Sequence, residues 1–119
     1  MKIGIADPQA RVRFSLRILL EQQPGWIIGG EAADCQELFD LLREVSLDLL
    51  LMDWDLPDLP AEILIGLLRA QYPMMRIVAM SGKQELREAA VKASADGFAC
   101  KAESPEKLLN LIRDLQEKK

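Results

Sequence analysis

Short apolar runs alternate with longer amphipathic stretches along the whole chain of 119 residues. Five apolar runs have the length and composition of β-strands: residues 2–6, 26–32, 49–52, 76–80 and 97–100. After each run, apolar residues recur at helical spacing, over about 9–22, 34–45, 61–72, 85–93 and from 104 onward. Strict alternation of strands and helices with short connections predicts a parallel sheet that has helices on both faces.

The central strand of this sheet is predicted at Leu49-Leu50-Leu51-Met52. A strand that is apolar on both faces fits the middle of a sheet covered by helices on each side. The predicted fold class is therefore α/β, a doubly wound, five-stranded parallel sheet in three layers. The simplest strand order is 2-1-3-4-5, which is flavodoxin-like.

Local sequence signals place several helix ends. Asp34, followed three residues later by Glu37, forms a capping-box pattern that starts a helix. Another start is predicted at Ser104, the N-cap, with Pro105 at the first helical position. We expect the third helix to bury Ile63, Leu64, Leu67 and Leu68, and the last helix to bury Leu108, Leu109, Leu111, Ile112 and Leu115.

Composition excludes several classes of function. Fifteen Lys and Arg residues against nineteen Asp and Glu residues give a net charge of −4, which disfavours nucleic-acid binding by this domain alone. No apolar stretch is long enough to cross a membrane and no signal peptide is recognisable, so we expect a cytoplasmic protein. The chain has no histidine, and its two cysteines, Cys35 and Cys100, lie far apart. This disfavours a zinc site and excludes hydrolases of the Ser-His-Asp or Cys-His type.

Polar residues follow the predicted strands at the edge where parallel strands end. They are Asp7 after the first strand, Asp53 and Asp55 after the third, Ser81 after the fourth and Lys101 after the fifth. In an open parallel sheet, ligands bind beyond the carboxyl ends of the strands, so these side chains are expected to share one pocket. Clustered carboxylates are commonly neutralised by a hard divalent cation such as Mg²⁺. With Lys and Ser donors in reach, such a site has the groups needed for phosphoryl transfer to an aspartate.

Four segments, in this order and spacing, resemble the receiver domain of two-component response regulators, and the resemblance covers essentially the whole chain. They are Leu50–Asp53 with Leu56-Pro57, then Val78–Gly82, then Asp96–Lys101, and finally Ser104-Pro105-Glu106 with the leucine-rich helix that it starts. The last segment is most similar to receivers of NarL/LuxR-type transcription regulators.

This resemblance implies a role for each candidate residue. Asp53 is the phosphorylated residue, Lys101 pairs with the phosphate, and Ser81 and Phe98 are the switch residues, with Phe98 becoming buried on phosphorylation. The implied metal ligands for Mg²⁺ are Asp7, Asp53 and Asp55.

The implied function is signal transduction in transcription regulation, without enzymatic turnover. The receiver takes a phosphoryl group from a histidine kinase or a phosphotransfer protein. It then switches the face formed by the fourth and fifth helices, through which a homodimer is expected. We expect one receiver domain over residues 1–119, either complete or the N-terminal part of a longer regulator, with no direct contact to nucleic acid or membrane.

Pro8 is the main departure from the family pattern. The family usually has two adjacent acids after the first strand, and the second, which normally contacts the metal, is here Pro8. Two unit charges about 4 Å apart interact by roughly 4 kcal/mol at an effective dielectric near 20. After desolvation is subtracted, a loss of about 3 kcal/mol weakens a metal roughly a hundredfold. Mg²⁺ binding is therefore expected to be weak or absent unless Asp7 or Asp55 replaces the missing ligand.

Two other functions fit parts of the sequence. The first is a degenerate receiver, which acts as an interaction module without being phosphorylated. Pro8 and the atypical loop after Pro57 favour this alternative. The segment Asp53-Trp54-Asp55 also resembles the nucleophile motif of haloacid-dehalogenase-type phosphatases. That family needs a further acidic strand end to hold its metal, and only one helix is predicted after Lys101.

Overall fold

The five strands are parallel and pair in the order β2-β1-β3-β4-β5 in the computed structural model, which describes residues 1–118. They are β1 (Lys2–Ala6), β2 (Ile27–Ala32), β3 (Leu49–Asp53), β4 (Arg76–Ser81) and β5 (Gly97–Cys100). The helices are α1 (Ala10–Glu21), α2 (Cys35–Glu44), α3 (Ala61–Gln71), α4 (Arg87–Lys92) and α5 (Pro105–Glu117). This architecture confirms the predicted doubly wound α/β fold and its strand order.

The fourth helical segment differs from the single helix predicted over 85–93. Its first turn is a 3₁₀ helix, Gln84–Leu86, and the α-helix covers only Arg87–Lys92. The connection between β4 and β5 is thus built from two short pieces. Within residues 1–118, no helix combines the length and the apolar character needed to span a bilayer.

Strand β3 is buried along its whole length, as its composition predicts. Leu49 and Leu51 belong to an apolar cluster with residues of α1 and α5. Leu50 and Met52 belong to the cluster on the opposite face, with residues of α2 and α3. Each fully buried leucine contributes about 1.5–3 kcal/mol relative to an exposed one. The strand that ends at Asp53 is therefore anchored on both faces of the sheet.

The prediction of which residues α3 buries is partly wrong. Leu64 and Leu68 are buried, and so is Ile65, which was not expected, whereas Ile63 is 54% exposed and Leu67 is 40% exposed. Residues 61, 64, 65 and 68 lie on one stripe at the spacing of an α-helix, and Ile63 and Leu67 fall beside it. In α5, Leu109, Ile112 and Leu115 are buried, and Leu108 and Leu111 are only half-buried.

The two predicted helix starts differ in their capping. Asp34 accepts a hydrogen bond from the Glu37 N–H at 2.8 Å, so its N-cap role is confirmed. The Glu37 carboxylate reaches back to the Ala33 N–H at 2.8 Å, one residue before the position that a capping box uses. Helix α5 begins at Pro105 as predicted, but the Ser104 side chain makes no capping hydrogen bond.

Candidate functional site

The buried polar side chains of residues 1–118 gather at one edge of the sheet. Asp7, Asp53 and Ser81 are the polar or charged residues that the described chain buries. Asp7 directly follows β1, Asp53 ends β3, and Ser81 ends β4. The parallel register places Ala6 beside Met52 and Ser81 beside Cys100, so the strand ends are level with one another. The structure therefore brings these residues together with Lys101, which directly follows β5.

Lys101 bridges the two carboxylates. Its Nζ lies 2.6 Å from Asp7 Oδ2 and 2.7 Å from Asp53 Oδ1. Partial burial lowers the pKa of Lys101, but hydrogen bonds and charge attraction from Asp53 and Asp7 outweigh this effect, so the pKa is raised. Lys101 is consequently a fixed positive charge between two negative ones.

The remaining carboxylate oxygens accept hydrogen bonds from the backbone. Asp7 Oδ1 accepts from the Gln9 N–H at 2.8 Å, and Asp53 Oδ2 accepts from the Asp55 N–H at 3.1 Å. All four oxygens of the pair thus have a partner within the chain. The two acids differ in access, because the Asp7 side chain is 0% exposed and the Asp53 side chain is 9% exposed. Of the two, Asp53 is the one that a reagent from solution can reach.

Ser81 is hydrogen-bonded to the loop after β4 and to the residue after β5. Its Oγ accepts a hydrogen bond from the Lys83 N–H at 3.0 Å, and its carbonyl accepts from the Lys101 N–H at 2.8 Å. A serine hydroxyl that accepts one hydrogen bond still has its own hydrogen to donate. The Trp54 N–H similarly donates to the Met80 carbonyl at 2.8 Å, which joins the backbone after Asp53 to β4.

Phe98 lies behind this edge, on β5. Its ring is buried against Ala79 and Ala90, and the half-buried Trp54 packs against the same cluster. The Arg87 guanidinium lies 5.1 Å from the centroid of the Phe98 ring, within cation–π distance. The resemblance assigns burial of this aromatic residue to the phosphorylated state, and in this structure the ring is already buried.

Asp55 does not join the carboxylate pair. Asp55 is exposed, and its contact with the pair is made by its backbone N–H, which donates a hydrogen bond to Asp53, and not by its carboxylate. Among residues 1–118, no three acidic or cysteine side chains lie close enough to hold a metal ion. The predicted metal set of Asp7, Asp53 and Asp55 is therefore not assembled, because the Asp55 side chain faces solvent and Pro8 offers no side-chain oxygen. The residues present do not fit a divalent cation.

Arg13 supports the site and was not predicted. Its Nη1 donates to the Asp7 carbonyl at 2.6 Å, and its Nε donates to Glu31 Oε1 at 3.2 Å. Arg17, one turn later on α1, holds the other oxygen of Glu31 at 2.6 Å. The spacing of Arg13 and Arg17 places them on one helix face, but nothing in the sequence shows that this face meets Glu31 at the end of β2.

Comparison with known proteins decides the family. Residues 3–113 match the response regulator receiver domain family. This chain is a response regulator receiver domain. The predicted resemblance is thereby confirmed, and the match gives no support to the phosphatase alternative.

Several curated proteins are similar to this receiver domain. The transcriptional regulatory protein CitT of Bacillus subtilis is 30% identical over 119 residues, covering 98% of this chain and 53% of that protein. The nitrate/nitrite response regulator protein NarP of Escherichia coli is 28% identical over 114 residues, covering 94% of this chain and 53% of that protein. The receiver domain thus spans about half the length of the curated relatives it matches.

Solved structures agree with this family. A two-component response regulator of the LuxR family from Aurantimonas is 29% identical with a TM-score of 0.88, covering 96% of this chain and 83% of that one. The isolated receiver domain of RcsB from Salmonella, solved with the phosphomimetic BeF₃⁻, has a TM-score of 0.93 at 24% identity. It covers 100% of this chain and 90% of that one, and it shows the shared fold.

Proposed function

We propose that this receiver domain accepts a phosphoryl group on Asp53 from a histidine kinase or a phosphotransfer protein. The observation that carries this proposal is the difference in access within the buried acid pair. Asp53 has 9% of its side chain exposed beside the Lys101 ammonium, whereas Asp7 has 0%. A phosphodonor can therefore approach Asp53, while Asp7 supports the site from behind.

The transfer step uses groups that are already in place. A carboxylate oxygen of Asp53 attacks the phosphorus of a phosphohistidine, and an O–P bond forms as the P–N bond breaks. The electron pair of the P–N bond returns to the imidazole, which leaves as a neutral ring because its other nitrogen carries the proton. Lys101 offsets the negative charge of the transferring phosphoryl oxygens, which is the main catalytic need in such a reaction.

Ser81 and Phe98 are the proposed switch residues. The phosphoryl group adds roughly −1.5 to −2 charge beside the acid pair. The Ser81 hydroxyl can donate a hydrogen bond to a phosphoryl oxygen, and this movement draws in the loop that its Oγ holds through the Lys83 N–H. Since Phe98 is already buried, we propose that its contact with Arg87 changes rather than its burial. Such a change shifts a two-state equilibrium on the face formed by α4, β5 and α5.

The consequence of the switch is proposed from the relatives. CitT and NarP are described as a transcriptional regulatory protein and a response regulator. We propose that this receiver likewise controls transcription, as the N-terminal part of a longer regulator, by changing contacts on its α4–β5–α5 face, including those of a homodimer. This transfer takes place in the cytoplasm, where histidine kinases phosphorylate their receivers.

Beryllofluoride and acetyl phosphate test the phosphorylation. We expect acetyl phosphate to add the mass of one phosphoryl group to the wild type and none to Asp53→Asn. Beryllofluoride should change the fluorescence of Trp54, measured in a Trp26→Phe background so that one indole reports. Absence of both changes in the wild type, with a phosphorylated phosphotransfer protein also failing as donor, contradicts the proposal.

A second function is favoured by two features of the pocket. Pro8 stands where the family has an acid, and every oxygen of the remaining pair is already bonded within the chain. These features suit a receiver that binds its partner without phosphorylation. In that case the oligomeric state, followed by light scattering, stays the same with and without beryllofluoride, and Asp53→Asn binds the partner as the wild type does.

A further inference from the structure

The acid pair at the edge of the sheet has a counter-charge of its own. We propose that Pro8, together with the Lys101 ammonium that already neutralises Asp7 and Asp53, closes this pocket to divalent cations. The receiver then presents a metal-free carboxylate pair to its phosphodonor. This inference concerns the pocket of the proposed function, but it does not require Asp53 to be phosphorylated.

Ligand supply is the first reason. Mg²⁺ takes oxygen ligands in near-octahedral geometry and keeps several of its waters, so a protein site must offer one or two carboxylates whose oxygens are free to bind it. The pocket offers two, and each has one oxygen on Lys101 Nζ and the other on a backbone N–H. Pro8 adds neither a carboxylate nor an N–H at the position after Asp7. A cation that enters must break contacts that the chain already makes.

Charge is the second reason. Two ionised carboxylates and one ammonium leave the pocket with a formal charge of −1, whereas a pocket with a third acid has −2. Attraction for a divalent cation is correspondingly weaker, and the nearby ammonium repels it. That ammonium lies 2.6 Å from Asp7 Oδ2 and 2.7 Å from Asp53 Oδ1, so a cation bound by both acids would have to displace it.

The local backbone explains why position 8 can be altered. Asp7 Oδ1 accepts from the Gln9 N–H two residues on, which closes an Asx-turn around Pro8. Pro8 itself is exposed. An acid at this position, directly after Asp7 in the chain, is therefore not forced into the core.

Metal titration by calorimetry, with Mn²⁺ and Mg²⁺ and no phosphodonor, tests the inference. We compare the wild type with Pro8→Asp, and use Pro8→Ala as the control that removes the ring without adding an acid. Pro8→Asp should bind Mn²⁺ roughly a hundredfold more tightly than the wild type. Pro8→Ala should bind like the wild type. A wild type that saturates with an affinity equal to that of Pro8→Asp overturns the proposal.

A second variant tests the counter-ion itself. Lys101→Met removes the ammonium and leaves both carboxylates, so its Mn²⁺ affinity should rise by about tenfold. If Lys101→Met binds no more tightly than the wild type, the ammonium does not compete with the metal and the proposal fails. Because neither titration contains a phosphodonor, a failure here is separate from a failure of Asp53 to accept a phosphoryl group.

Discussion

Lys101 Nζ lies 2.6 Å from Asp7 Oδ2, although 94 positions separate the two residues in the chain. Asp7 follows β1 and Lys101 follows β5, so their contact spans the carboxyl ends of the two strands between them, β3, which supplies Asp53, and β4. The polar centre of the domain is thus also a long-range contact that depends on correct pairing of the strands. Its removal should affect folding as well as reactivity.

Lys101→Met should destabilise the domain. It leaves two carboxylates close together without a counter-charge, and we expect the free energy of unfolding to fall by about 1–3 kcal/mol, a range reduced for the partial exposure of Lys101. The check is urea denaturation at pH 7. In a protein that already carries Asp7→Asn, Lys101→Met should lower the free energy of unfolding by less, because only one uncompensated carboxylate remains. Equal losses in both backgrounds contradict the bridge.

Stability should also depend on alkaline pH through Lys101. Its pKa is raised above the ordinary value of 10.5 because Asp53 and Asp7 outweigh the opposing effect of partial burial. The folded state therefore holds this proton more strongly than the unfolded chain, and the contribution is fully present below about pH 10. It is lost as the pH rises through the raised pKa. The difference in the free energy of unfolding between the wild type and Lys101→Met, measured by urea denaturation between about pH 9 and 12, should therefore decrease with rising pH.

The N-cap side chain of α2 should contribute more to the stability of the domain than the side chain that precedes α5. Asp34→Ala removes the hydrogen bond to the Glu37 N–H and should cost about 1 kcal/mol. Ser104→Ala is the matched control, because the Ser104 side chain makes no such bond, and its cost should stay within about 0.5 kcal/mol. Thermal and urea denaturation compare the two. A larger loss for Ser104→Ala would show that the cap of α5 forms in solution.

Neighbouring apolar residues of α3 should respond very differently to truncation. Leu64 is fully buried, so Leu64→Ala should lower the free energy of unfolding by about 2–5 kcal/mol. Ile63 is 54% exposed, and Ile63→Ala should change it by less than about 0.5 kcal/mol. Similar losses at the two positions would mean that Ile63 is covered in solution, by a partner or a second copy.

The fold was predictable because its signals are local and repeated. The fully apolar run Leu49–Met52 identifies the central strand, and helical spacing between runs identifies the crossovers. Convergence of Asp7, Asp53 and Lys101 followed from the geometry of parallel strand ends. These features need only the order of the elements and not the details of packing.

Contacts that depend on side-chain direction were not predictable. The sequence does not show that one ammonium reaches both acids or that Arg13 holds the Asp7 carbonyl. A leucine-rich helix such as α3 carries more apolar residues than its inner face needs, so periodicity alone misplaced Ile63 and Leu67. The contact between the Arg87 guanidinium and the Phe98 ring similarly depends on how α4 packs against β5.

The hydrogen bond from the Trp54 N–H to the Met80 carbonyl has a mechanical consequence. The backbone just after Asp53 is held in place, because β3 is buried between apolar clusters on both faces of the sheet and Trp54 is hydrogen-bonded to β4. A bulky group attached to Asp53 therefore meets a rigid support on the inner side. We expect the displacement to be taken up by the surface loops after β4 and β5, where it can alter the contacts of a binding partner.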